Sequence, residues 1–184
     1  MRRLTILAAA VLATAPGVAN AVEAPCLTPG EFTSLAGYTL PSIINGTTQR
    51  CGTTLAPSAY LRTSGKSLSA RYAAQKGKHW AGAKAAFLKL SASGNNDTGK
   101  LFRDMPDASL QGILDAMMEG MVSQQIPLER CSTIDRVVGL LSPLPPENTA
   151  ELIALAVGLG SKASENKNSN GAPAKIGKLA ICRS

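Results

Sequence analysis

Residues 106–123 read PDASLQGILDAMMEGMVS. Leu110, Ile113, Leu114, Met117, Met118 and Met121 return at steps of three and four, which places them on one face of an α-helix. Pro106 stands at the head of the run, where a missing N–H costs little. This is the strongest periodic signal in the chain, and it predicts a helix from Asp107 to about Ser123. The methionines coincide with the apolar stripe, so they read as core packing rather than as thioether ligands for soft copper.

Working outward, the same period recurs. Towards the C-terminus, Ile134, Val137, Val138 and Leu141 predict a helix over Cys131–Leu141. Pro143-Leu144-Pro145-Pro146 is a stiff connector, and Asn148 with Glu151 three residues later caps a final helix through Val157. Towards the N-terminus, SASGNNDTG at 91–99 is a turn-rich linker and the natural internal boundary. Before it, Leu68, Tyr72, Trp80, Ala83, Phe87 and Leu90 mark a helical region from Ser67 to Leu90, with Gly77 as its bend. Pro57 to Leu61 gives one helical turn. Thr28-Pro29-Gly30-Glu31 is a capping box opening a short helix, and Leu40 to Ile44 suggests a second short helix ending near Asn45-Gly46. Alternating strand patterns are scarce. The expected class is all-α: a small irregular helical bundle.

The first residues place that bundle. Arg2 and Arg3 precede an apolar run, Leu4 to Ala15, and then Ala19-Asn20-Ala21. This is the pattern of a secretory signal peptide over residues 1–21, and its apolar run is shorter than the roughly 20 residues that span a bilayer. The expected product is a single helical domain, 22–184, with a mobile polar loop near 161–174 (Ser161 to Pro173 reads SKASENKNSNGAP) and no transmembrane anchor after cleavage. Export favours oxidised cysteines. Cys26, Cys51, Cys131 and Cys182 therefore read as two disulfides, with Cys26–Cys51 and Cys131–Cys182 expected because each would tie a terminal segment to a nearby helix. No C-x-x-C pair is present and the chain has one His, so no metal site is expected.

Among 184 residues the formal charge is +7, but it is unevenly spread. Between Arg50 and Arg103 stand ten Lys or Arg and one acid, Asp97; between Asp104 and Glu165 stand nine acids and three bases. One explanation is internal, with basic helices lying against acidic ones. The other is an anion-binding face made of Arg62, Lys66, Arg71, Lys76, Lys78, Lys84 and Lys89. Its partner would be an anionic component of the cell envelope, lipid headgroup or glycan, or an acidic protein. Nucleic acid is disfavoured, because only Trp80 and Tyr72 interleave with these cations as stacking surfaces.

Groups for chemistry are few. His79 beside Trp80 is the one histidine, and no Gly-x-Ser-x-Gly elbow accompanies it. Asp107, Asp115 and Glu119 sit one and two turns apart on the central helix and could flank a sugar cleft, but aromatics make up only 4% of the chain, a poor supply of stacking surface. No cofactor is expected. The stretch LLSPLPPENTAELIALAVGLG, Leu140 to Gly160, together with the disulfide-paired ends, resembles uncharacterised bacterial exported helical proteins with four cysteines. That resemblance implies export and carries no activity with it. The sequence thus points to an exported periplasmic binding or interaction module, non-enzymatic, with a basic helical face. The alternatives are a periplasmic inhibitor or immunity-type protein, and a cryptic glycan hydrolase using His79 or the helix carboxylates.

Overall fold

A computed structural model describes residues 26–94, 96–165, 174–176 and 179–182. Seven α-helices dominate the described residues: α1 (Pro29–Cys51), α2 (Tyr60–Ala73), α3 (Trp80–Gly94), α4 (Asn96–Asp104), α5 (Asp107–Gln125), α6 (Cys131–Leu141) and α7 (Pro146–Glu165). Short strands β1 (Cys26–Leu27), β2 (Ala174–Ile176) and β3 (Leu179–Ile181) form a small sheet in the order β1-β3-β2. The all-α class is the one the periodicities indicated. The signal peptide expected at 1–21 lies outside the described residues.

The organising element is α1. Thr28 and Glu31 close the capping box at its start, as the sequence indicated. It does not stop after two turns. A single helix of 23 residues runs through Pro41 and through Asn45-Gly46 to Cys51. An internal proline costs about 3 kcal/mol in an isolated helix, so tertiary contact must hold this one together. Gly37 to Ser42 are six consecutive buried residues, which means that the helix is covered on every side. Helices α2, α3, α5 and α7 and the 3-10 turn Lys76–His79 all pack on it.

Small residues on α1 make that crowding possible. A Cβ at Gly46 would stand 2.5 Å from the backbone oxygen of Glu119 on α5, and one at Gly37 would stand 2.7 Å from the His79 ring. Thr39 and Thr47 are buried there too, and their hydroxyls donate back to the carbonyls of Leu35 and Ile43, so neither is left unsatisfied.

Three apolar clusters surround the axis. Tyr38 of α1 meets Ala83 and Phe87 of α3 and Leu110 and Leu114 of α5. Leu40 and Ile44 meet Leu68 and Tyr72 of α2. Cys51 meets Leu61 of α2 and Cys131 of α6, with Leu55, Ile126 and Ile134 around them. The stripe on α5 is only partly core: Leu110 and Leu114 are buried, but Met117 and Met121 are 41% and 42% exposed. A helix wide in apolar residues has more stripe than α1 and α3 cover.

The disulfides correct the expected pairing. The bonds are Cys26–Cys182, with Cα atoms 4.9 Å apart, and Cys51–Cys131, at 5.3 Å. The reason lies in α1. Cys26 and Cys51 stand at opposite ends of one 23-residue helix, about 35 Å apart at 1.5 Å per residue, and a disulfide tolerates about 7 Å between Cα atoms. Cys26–Cys51 is therefore impossible, and Cys131–Cys182 goes with it. Instead, β1 pairs in parallel with β3, Cys182 donates its N–H to the Leu27 carbonyl at 2.8 Å, and the sulfurs tie β1 to the residue that follows β3.

Two further expectations shift. The turn-rich stretch 91–99 is largely helical, since α3 extends to Gly94 and α4 opens at Asn96. The two helices fold back closely, with Gly99 against Ala92 and the Phe87 and Phe102 rings 5.1 Å apart, and that contact outweighs the local turn preference. Residues 161–165 belong to α7 rather than to a loop. Residues 166–173 of the expected polar loop lie outside the described residues.

Candidate functional site

The cations singled out by the sequence meet carboxylates of the same chain. Lys76, in the 3-10 turn, reaches Asp115 of α5 at 2.5 Å. The other oxygen of Asp115 accepts from Ser42 of α1 at 3.0 Å, and the Lys76 ammonium stands 4.8 Å from the centre of the Tyr38 ring. Lys84 of α3 reaches Asp107 at the head of α5 at 2.6 Å, and the same carboxylate accepts the Trp80 indole N–H at 2.8 Å. Lys89 reaches Glu31 of the capping box at 2.9 Å. Lys78 approaches Glu147 of α7 at 3.7 Å, with the lysine side chain 66% exposed.

The rest of the predicted face behaves differently. Arg71 donates to the Ser142 carbonyl and lies over the Tyr72 ring. Arg62 donates to the Leu55 carbonyl at 3.0 Å. Lys66 is exposed and has no partner among the described residues. Four of the seven predicted cations are thus neutralised by carboxylates, and the three on α2 are not: Arg71 is turned to the Ser142 carbonyl, while Arg62 and Lys66 stand one turn apart on the outer face of the helix. The seven do not form one surface.

These pairs set the charge states. The Lys89 ammonium, the Thr28 N–H and the Thr28 hydroxyl together hold Glu31 below its ordinary range despite partial burial. Lys84 and the Trp80 indole do the same to Asp107. Burial works against the Lys76 ammonium, but the hydrogen bond and charge of Asp115, helped by Tyr38, outweigh it and raise its pKa. Tyr38 is raised by burial and by the Asp115 charge, against the pull of Lys76.

The signs follow by linkage. A lowered carboxylate contributes stability that is present above its unfolded pKa and lost as pH falls through its folded one; a raised lysine contributes stability that is lost as pH rises through its folded value. Thermal melts should therefore lose stability below about pH 4.5 and again above about pH 10. Glu31→Gln should flatten the acid limb by less than about 1 kcal/mol, since the Glu31–Lys89 pair is partly exposed. An acid limb identical to that of the parent would refute the assignment.

The carboxylates considered for sugar chemistry are occupied. Asp107 and Asp115 each hold a lysine, and Glu119 accepts from Gln49 of α1. His79 lies against Gly37, and its Nε2 is buried without a hydrogen-bond partner. Among the described residues no group of three or more His, Cys, Asp or Glu could hold a metal ion, and no helix is long and apolar enough to cross a membrane.

Two participants escaped the sequence. Asp135 of α6 accepts the Tyr60 and Leu61 N–H groups at 3.3 and 2.7 Å, and so caps α2 across 74 residues of sequence. Ala59, the local cap position, has no side chain able to do so. Ser42 bonds Asp115 from 73 residues away, and nothing local marks it. No protein-family model matches the chain, and no curated protein or solved structure matches it.

Proposed function

We propose that this chain is an exported, non-enzymatic interaction module that engages an anionic component of the cell envelope. The observation that carries this reading is the pair Arg62 and Lys66, one turn apart on the solvent face of α2 with no carboxylate on either, while Lys76, Lys84 and Lys89 are neutralised within the fold and Arg71 of the same helix is turned to the Ser142 carbonyl and the Tyr72 ring. Lys78 adds to it weakly, since its 3.7 Å pair with Glu147 is open to solvent. Export is supported by two disulfides, which persist outside reducing compartments. A non-enzymatic role is supported by the engagement of Asp107, Asp115 and Glu119 with other side chains.

The contact surface is accordingly narrower than the seven-residue face, and it lies on α2. Replacing Arg62 and Lys66 together by alanine should weaken binding to phosphatidylglycerol vesicles or to an anionic glycan resin. At about 1 kcal/mol per cation near an anionic surface, the loss is roughly 30-fold. Binding of the parent should fall as salt is raised. Lys76→Ala should lower stability and leave binding near the parent value. An unchanged affinity in the double variant, or salt-independent binding, would refute the proposal.

A further inference from the structure

We infer that the Cys26–Cys182 bond is a redox latch that a dithiol reductant can open without unfolding the helical bundle. The two disulfides differ in access. Cys51 and Cys131 are 0% and 1% exposed and lie among Leu55, Leu61, Ile126 and Ile134, so a thiolate reaches them only when α1, α2 and α6 separate. Cys26 and Cys182 are both partly exposed at the edge of the molecule. Thiol–disulfide exchange needs direct approach of a thiolate to sulfur, so exposure decides which bond is exchanged first.

What the latch holds has little strength of its own. The strands it joins are two and three residues long, β1 meets β3 through the Cys26–Ala180 and Leu27–Ile181 pairs, and the β2–β3 hairpin packs against α7. Isolated sheets of this size are marginal in water. On the other side of the bond, β1 runs straight into the Thr28 capping box and stays with α1. The part set free is therefore the C-terminal hairpin. Residues 174–184 carry Lys175, Lys178 and Arg183 and no acidic side chain, so the freed segment is basic in sequence.

The exchange balances simply. One thiolate of the external dithiol attacks Sγ of Cys26 or Cys182 and displaces the other as a thiolate. The second thiol of the reagent then resolves the mixed disulfide. Two electrons pass, leaving two protein thiols and an oxidised reagent.

The experiment titrates the oxidised protein with dithiothreitol, traps thiols with N-ethylmaleimide and maps the adducts. Cys26 and Cys182 should be labelled while Cys51 and Cys131 remain joined, with the helical circular dichroism unchanged and the hydrogen-exchange protection of the Cys182 amide lost. The Cys26→Ser/Cys182→Ser variant should show the same helical signal and the same loss without reagent. Labelling of all four cysteines together, a Cys182 amide that stays protected, or unfolding of the double variant would each overturn the inference.

Discussion

Gly46→Ala should destabilise the protein by about 1–3 kcal/mol, read as a lower urea midpoint. The expected sign is unusual, because alanine in place of an interior helix glycine ordinarily gains about 1 kcal/mol. At Gly46 the added methyl would stand 2.5 Å from the Glu119 carbonyl oxygen, a backbone atom that cannot swing aside, and α1 and α5 would have to part. The control lies on the facing helix. Gly112 has nothing within 4 Å of an added Cβ, so Gly112→Ala should stabilise by about 0.5–1 kcal/mol. Opposite signs for two identical substitutions are what close packing on α1 demands. A gain at both positions would mean that α5 does not lie on the axis.

Removing the buried disulfide should cost more. In Cys51→Ala/Cys131→Ala the unfolded chain recovers the freedom of a loop of 80 residues, about 4.5 kcal/mol on the loop-entropy account. The bond also anchors α6 beside the end of α1, where Cys51, Leu61 and Cys131 form one cluster with Ile134 and Val138 packed against it. Urea unfolding should therefore show a loss of about 4–5 kcal/mol. A loss below about 1 kcal/mol would show that α6 is held by packing alone.

These two expectations rest on the part of the fold that was least legible in the sequence. Helix α5 was readable because its apolar spacing is local, and so were α6 and the Thr28 capping box, whereas α7 opens at Pro146, two residues before the cap expected at Asn148. The continuity of α1 was not. Pro41 and Asn45-Gly46 are stop signals at close range, and they are overruled by burial against four other helices, which no window of sequence contains. The same continuity decides the disulfides. Two short helices would let Cys26 and Cys51 approach, whereas a single long one keeps them apart, so the expected pairing fails with the helix break. The stretch at 91–99 failed for the same kind of reason, with the Gly99–Ala92 and Phe87–Phe102 contacts outweighing turn-forming residues.

The candidate site divides along the same line. That cations and acids occupy different thirds of the chain is a matter of counting. Which cation meets which acid depends on how α3 and the 3-10 turn lie against α5 and α1, so the neutralisation of Lys76, Lys84 and Lys89 emerges only in three dimensions. The same geometry singles out Arg62 and Lys66, which the charge count could not separate from their neighbours.

All of this depends on α1 running unbroken from the Cys26–Cys182 clasp to the staple on α6, and peptide mapping of the oxidised protein tests it most directly. Trypsin cuts after Arg50, Arg62, Arg130, Arg136, Lys178 and Arg183, which puts each of the four cysteines on its own peptide. The account predicts that peptide 51–62 is joined to 131–136, and that 179–183 is joined to the peptide holding Cys26. Peptide 51–62 joined instead to the one holding Cys26, with 131–136 joined to 179–183, would bring the two ends of α1 together and contradict it.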